Sequence, residues 1–333
     1  MQWTRASIGS KLLACVWLLP LTLAVRPLRE NSMELDKIIS GDSAVVLQSF
    51  PPDCIDLSVQ SPPYDDLRLY DGNPEFDFET IASQLFRVTK PGGVVVWVVG
   101  DATVNGSETG TSFKQALYFM QCGFNLHDTM LYETDKPPSN GNRYQSMFEY
   151  MFVFSKGSPK TFNPITVSVS DYFTSEQRRK YKSDAAFMRE KDGAFVNKKR
   201  THNTGSKVKG NIWYVRAGFA ANDEFASDHP AVFPEALARD HILSWSNEGD
   251  TILDCFCGSG TTPKMAKVLS RHYIGIERVK KYVSLAEKRL LATNVPLFGL
   301  GRGLTPREPD NGDSAPSQAF SQPEFLSDLE GLS

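Results

Sequence analysis

The chain has 333 residues, 41% hydrophobic and 23% charged, with a net charge of −3, which suits a soluble enzyme of one large domain or two. Five cysteines, Cys15, Cys54, Cys122, Cys255 and Cys257, form no even framework, which excludes a disulfide-stapled scaffold and fits a reducing compartment. Cys255 and Cys257 have no partner pair at zinc-site spacing, so no metal is expected, and they read as small residues flanking Phe256.

Residues 1–32 stand apart. Leu12 to Val25 is an apolar run of 14 flanked by Arg5, Lys11 and Arg26. It is short for a membrane span and fits the core of a signal peptide, although Leu23-Ala24-Val25 makes a poor cleavage region. Met33-Glu34-Leu35-Asp36-Lys37 offers an alternative start, so the segment is either signal-like or the product of a mis-assigned start codon.

Ile38-Ile39-Ser40 predicts a short strand that turns at Gly41-Asp42, and Asp42 suits the N-cap of a helix over Ala44 to Gln48. The apolar run Ile55 to Val59 then meets Ser61-Pro62-Pro63-Tyr64, followed by Asp65 and Asp66. An apolar run ending in Pro-Pro reads as a buried strand stopped at its carboxyl end, where open α/β sheets bind ligands. The two prolines stiffen the backbone and remove two donors, leaving a corner rich in acceptors. Ser61 adds a hydroxyl and Tyr64 a flat face, a combination suited to a planar amine. The same four residues also read as a Pro-Pro turn with a packing tyrosine.

Phe78, Ile81, Ala82, Leu85 and Phe86 recur at helical spacing, and Lys90-Pro91-Gly92-Gly93 is expected to stop that helix. Val94 to Val99 is a continuous apolar run, as in a parallel strand buried on both faces, and it ends at Gly100-Asp101. Phe113, Ala116, Leu117 and Met120 predict a second helix closed by Gly123. Strands are expected over Leu126 to Tyr132 and Met147 to Phe154, with a Pro/Asn/Gly-rich loop, Lys136 to Tyr144, between them.

From 156 to 216 periodicity weakens and charge rises. Glu176 to Arg216 holds twelve Lys/Arg against four acids, a net of +8, so the rest of the chain carries −11. A basic insert on an acidic body is the electrostatic footprint of a DNA-binding segment, although a solvated insertion has the same composition. Lys198, Lys199, Arg200, Lys207 and Lys209 are the candidate DNA-binding residues. Asn211 to Val215 returns to strand character, and Phe233 to Trp245 is helical with Leu237, His241, Ile242 and Trp245 on one face, where His241 reads as a packing residue.

Thr251-Ile252-Leu253 leads into Asp254-Cys255-Phe256-Cys257-Gly258-Ser259-Gly260-Thr261-Thr262, then a helical pattern over Lys264 to Leu269 and a strand ending at Glu277, 19 residues after Gly258. Strand, glycine turn, helix, strand and acid is the order of a nucleotide-type site, in which the acid binds ribose hydroxyls. The loop has neither the third glycine of a dinucleotide fingerprint nor the Gly-Lys-Ser/Thr of a phosphate loop. An adenosine-bearing ligand without pyrophosphate, such as S-adenosyl-L-methionine, fits better. Val279 to Leu291 reads as an amphipathic helix, and Gly299 to Ser333 as a disordered tail.

Together these stretches resemble the DNA amino-methyltransferases of the permuted (beta) group, the cytosine-N4/adenine-N6 family, over about Leu35 to Leu291. Ser-Pro-Pro-Tyr matches the family's catalytic motif and Asp-x-Phe-x-Gly-Ser-Gly-Thr-Thr its cofactor loop. His229-Pro230-Ala231-Val232-Phe233-Pro234-Glu235 looks like the segment before that loop, and Arg271 to Glu277 like the strand after it. The resemblance implies a Rossmann-like S-adenosylmethionine-dependent methyltransferase fold, α/β with a mostly parallel sheet and an inserted target-recognition region. It divides the chain into an N-terminal extension (1–32), a catalytic half (33–155), the insert (156–216), a cofactor-binding half (217–292) and a tail (293–333). It assigns catalysis to Ser61, Pro62, Pro63 and Tyr64, and cofactor binding to Asp42, Asp254, Phe256, Gly258, Ser259, Gly260, Thr261 and Glu277.

The implied reaction is methylation of an exocyclic amine in double-stranded DNA. Ser at the first position of the tetrapeptide goes mostly with N4 of cytosine, with N6 of adenine the alternative. An RNA or small-molecule methyltransferase, or a binding protein without catalysis, are further alternatives, but neither needs both the tetrapeptide and the long basic insert. C5-cytosine methylation, which uses a Pro-Cys pair, is not expected, because the chain has no such dipeptide. Such enzymes work on cytoplasmic DNA, often beside a restriction endonuclease of the same site. That favours a mis-assigned start over export, and no stable membrane partner is expected.

Overall fold

The computed structural model describes residues 33–63, 77–134, 142–168, 205–215 and 232–294, together with the backbone of two strands at 185–189 and 195–199. The 1–32 extension, Tyr64, most of the 136–144 loop, Arg200, His229 and the C-terminal tail lie outside the described residues.

In chain order the elements are β1 (Lys37–Ser40), α1 (Ser43–Val46), β2 (Ile55–Gln60), α2 (Phe78–Val88), β3 (Thr89–Val99), β4 (Thr103–Val104), β5 (Ser107–Glu108), α3 (Thr111–Gln121), β6 (Asn125–Glu133) and β7 (Phe148–Ser155). There follow β8 (Thr166–Ser168), β9 (Ala185–Arg189), β10 (Phe195–Lys199), β11 (Ser206–Val208), β12 (Ile212–Tyr214), α4 (Glu235–Trp245), β13 (Thr251–Asp254), α5 (Thr261–Val268), β14 (His272–Glu277) and α6 (Lys280–Ala292).

Eight strands form one sheet in the order β1-β14-β13-β2-β3-β7-β6-β12. Every neighbouring pair is parallel except the two that β7 makes, with β3 and β6, so seven strands run one way and β7 alone is reversed. This is the mostly parallel α/β architecture expected. The apolar run of β3 has the predicted cause. Val94, Val96 and Val98 pack on one side with Leu57 and Val59 of β2, Leu237 and Ile242 of α4 and Ala266 of α5. Val95, Trp97 and Val99 pack on the other with Leu47 just after α1, Ile81 and Leu85 of α2 and Phe119 of α3. A strand sandwiched between two helical layers has no polar face to show. The indole N–H of Trp97, inside the second layer, donates to Gln115 Oε1 at 2.8 Å.

Lys90-Pro91-Gly92-Gly93 does end α2, as expected, but the chain enters β3 at once, without a free turn. The strand pairing with β2 jumps from Ile55↔Thr89 to Leu57↔Val94 across these residues. Gly93 sits where a Cβ would fall 2.7 Å from Thr89 Cγ2 and 2.9 Å from the Asp56 carbonyl, so a bare backbone is required there.

Among its described residues the basic insert contains two small antiparallel pairs, β9 with β10 and β8 with β11. Its last strand, β12, joins the main sheet as the edge neighbour of β6.

Candidate active site

The co-directional strands β1, β14, β13, β2 and β3 deliver their carboxyl ends to one edge. The register pairs Ile252 with Leu57 and Leu253 with Ser58. The turn after Asp254 and the corner after Gln60 therefore leave the sheet side by side, although they lie far apart in sequence. This is where the two predicted motifs meet. Ser61 is partly exposed, Pro62 buried and Pro63 partly exposed at the end of β2.

The glycine loop is held by its own backbone and by two carboxylates. Asp254 Oδ1 accepts from the Phe256 N–H at 2.9 Å. Glu277 Oε2 accepts from the Gly258 N–H at 2.9 Å, and Oε1 from the Val279 N–H at 2.7 Å. Cys257 N–H donates to the Ile276 carbonyl at 3.0 Å, stitching the loop to β14. Gly258 and Gly260 adopt φ of 49° and 80°, the left-handed region that glycine enters without strain. At Gly260, the residue before α5, a Cβ would also lie 2.9 Å from Ala286 Cβ of α6. Asp254, Ser259 and Thr261 are buried, so they build the loop from beneath; Phe256 and Glu277 are partly exposed at its rim.

Beneath the loop lies a network that sequence reading missed. Arg289 of α6 is fully buried. It donates to Thr261 Oγ1 at 2.9 Å, to the Ser259 carbonyl and hydroxyl at 3.2 Å each, and to Glu235 Oε1 at 2.6 Å. Lys264 Nζ reaches the same Glu235 oxygen at 2.6 Å. An arginine fork suits this task because its planar donors engage several acceptors at fixed angles. The available signal was an arginine next to the apolar Leu290 on an amphipathic helix, which reads equally well as an exposed flank.

At the neighbouring strand end Asp42 takes the N-cap role, accepting from the Ala44 N–H at 2.9 Å. Its other oxygen lies 3.5 Å from Arg278 Nη1. Gly41 N–H donates to the Glu277 carbonyl at 3.0 Å, which keeps Asp42 beside Glu277. The edge thus presents acceptors suited to hydroxyl and ammonium groups. This chemistry fits a cationic adenosyl ligand without phosphate and disfavours a pyrophosphate.

Burial pushes the Asp254 carboxyl up from its usual 3.8 to about 7, against the opposing pull of the Phe256 N–H and the Thr262 hydroxyl. Burial also raises Glu277, although the Val279 and Gly258 N–H groups oppose it. For Asp254 the folded chain holds the proton more tightly than the unfolded chain. The stability contributed by the neutral carboxyl is therefore present below the unfolded value and is lost as pH rises toward about 7. In the ligand-free protein, Asp254→Asn keeps an acceptor for Phe256 without the charge. Its stability advantage over the parent is expected to grow between pH about 4 and about 7 and then level off, as measured by denaturant melts across that range. A difference independent of pH would refute the assignment.

Of the candidate DNA-binding residues, Lys198 and Lys199 lie on β10 and Lys207 on β11. Lys209 is engaged with the body of the protein. Its Nζ stands 4.4 Å from the Trp213 ring centroid and 3.7 Å from Asp240 Oδ2 of α4. His241 stacks against the same Trp213 ring, 4.7 Å between centroids, with Nε2 3.4 Å from Met151 Sδ. Burial and the nearby Lys209 charge lower its pKa to about 3, so it packs as a neutral ring.

Comparison with known proteins gives the same reading for about three quarters of the chain. The sequence profile of the DNA methylase family matches residues 55–288. M.BamHII of Bacillus amyloliquefaciens, an orphan methyltransferase, is 52% identical over 243 residues, covering 72% of this chain and 89% of that protein. The DNA adenine methyltransferase YhdJ of Escherichia coli K12 is 29% identical over 262 residues, covering 77% and 83%. Among solved structures, TTHA0409 of Thermus thermophilus, complexed with S-adenosyl-L-methionine, shares the fold with a TM-score of 0.51 at 24% identity, covering 79% of this chain and 97% of that one. With the profile spanning both the tetrapeptide strand and the glycine loop, the chain belongs to the DNA methylase family of N6 and N4 amino-methyltransferases.

Proposed function

We propose that the protein transfers a methyl group from S-adenosyl-L-methionine to N4 of a cytosine flipped out of duplex DNA, as a member of the permuted group of this family. The observation that carries the reading is the meeting of the Ser61-Pro62 corner with the glycine loop at the ends of β2 and β13. The cofactor is S-adenosyl-L-methionine, and it supplies an electrophilic methyl group. Gly258, Gly260 and Phe256 offer it a close-approach loop, with Glu277 the acceptor for its ribose hydroxyls and Asp42 beside it.

The exocyclic amine of a base is a weak nucleophile because its lone pair is delocalised into the ring. Ser61 Oγ and the Pro62 carbonyl accept its two N–H bonds and draw the lone pair back onto nitrogen. Positioning and fixed dipoles then carry the rate, and no covalent enzyme intermediate is required. Extruding the base costs roughly a few kcal/mol, part of which stacking on Tyr64 would recover. The cytosine assignment rests on Ser at the first position of the tetrapeptide. The relationship to YhdJ favours N6 of adenine as the second reading. Methylating unmodified DNA with labelled cofactor and identifying the labelled nucleoside by mass decides between them, since label in N6-methyladenosine alone refutes the cytosine reading.

The DNA is held by the insert. Neutralising Lys198, Lys199 and Arg200 together is expected to weaken duplex binding and to flatten its logarithmic salt dependence by roughly 0.9 for each phosphate no longer neutralised. An unchanged slope in filter-binding titrations would move the DNA site elsewhere. The 52% identity to an orphan methyltransferase supports action without a cognate nuclease, with the restriction-modification pair expected of such enzymes as the alternative.

A further inference from the structure

We propose that Gln60 and Thr262 are positioning residues, side-chain struts that set the separation between the catalytic corner and the cofactor loop. The proposal rests on the reading of Ser61 and Pro62 as the corner that receives the target amine.

The two strands that carry these motifs come from opposite ends of the chain, and their register pairs end at Leu253↔Ser58. Past that point the strands separate into the crevice where the methyl group must cross. Gln60 bridges the gap: its Oε1 accepts from the Cys255 N–H at 3.2 Å, a bond between residues 195 apart in sequence. The Cys255 carbonyl accepts from Ser43 Oγ of α1, so side chains hold the first loop residue by both its N–H and its carbonyl. From the loop, the Thr262 hydroxyl reaches the Val59 carbonyl at 3.2 Å, while also engaging the Asp254 carboxyl. Both struts therefore land on the two residues immediately before Ser61.

The chemistry of Gln60 argues against a packing role. The residue is fully buried beside Trp97, its partner in β3, and its Nε2 has no hydrogen-bond partner among the described residues. An unpaired buried donor lowers stability. A methionine of similar length would fill the same space without one. What glutamine adds is the bond across the crevice. In-line transfer is sensitive to such placement, because a misplacement of about 1 Å can slow a reaction roughly 100-fold.

The test uses Gln60→Met, Thr262→Val and Thr262→Ser in the full-length protein. Single-turnover methylation is measured at saturating S-adenosyl-L-methionine and duplex DNA, with cofactor affinity by calorimetry and melting temperature alongside. The first two variants are expected to transfer roughly 10- to 100-fold more slowly with cofactor affinity preserved. Thr262→Ser, which keeps the hydroxyl, is expected to recover most of the rate lost in Thr262→Val. Parental rates in Gln60→Met and Thr262→Val, or a loss confined to cofactor affinity, overturn the proposal. Should Gln60→Met not fold, the Thr262 pair decides alone. Ser61→Ala is measured in parallel to separate two failures. If it is fully active, the catalytic corner itself is misassigned; if it is slow while the strut variants are not, only the struts are refuted.

Discussion

Ser61→Ala is expected to lower the methyl-transfer rate by roughly 100- to 1,000-fold, the usual effect of removing one preorganised hydrogen-bonding group from a reacting centre. The reason is geometric. Ser61 follows directly from β2, whose last residues are fully buried, so the hydroxyl is carried by a rigid strand end. The Pro62 carbonyl remains after the substitution and still accepts one N–H of the amine, which is why some activity should persist. The change lies outside the proposed cofactor loop, so S-adenosyl-L-methionine affinity should hold while turnover falls. That split separates an amine-orienting role from a folding defect. Full activity on the same base, measured under single-turnover conditions, would show that the amine is held by other groups.

Glu277→Ala is expected to weaken S-adenosyl-L-methionine binding about 100-fold, close to 2.7 kcal/mol, within the range for losing one member of a partly buried charge-assisted set. Two losses add. The carboxylate accepts the Gly258 and Val279 N–H groups, so its removal takes away one of the loop's ties to β14 and leaves the Cys257 N–H on the Ile276 carbonyl as another. The carboxylate is also the proposed acceptor for the ribose hydroxyls. Glu277→Gln keeps a carbonyl for one of the two N–H groups and should fall between parent and alanine variant. Calorimetric titration reads both, and parental affinity in Glu277→Ala would remove the residue from the cofactor site.

The contrast between these residues and Arg289 shows what could be read in advance. Ser61 and Glu277 each sit at the end of an apolar run, and their placement at a strand's carboxyl end follows from the run alone. Arg289 carries no such label. Its burial follows from Glu235, 54 positions away, and from Ser259 and Thr261 of the loop, which together supply the acceptors that make a buried guanidinium tolerable. Nor did composition foretell that Lys209 engages Trp213 and Asp240, since a lysine in a basic stretch looks the same whether it faces phosphate or an indole ring.

The elements flanking the two motifs were legible from local pattern, whereas the short strands β4, β5 and β8 to β11 were not. The helical spacing of α2, the unbroken apolar run of β3 and the glycine loop before α5 are local patterns, set by backbone preference and by which faces must leave water. The sequence by itself determined the family, because both motifs occur intact and in order. No local pattern announced that β7 runs against its neighbours, that β12 closes the sheet's edge, or that Gln60 reaches Cys255. These depend on which strands become neighbours. That choice is made by packing two helical layers onto one sheet, a contact between distant segments that leaves no periodic trace in either.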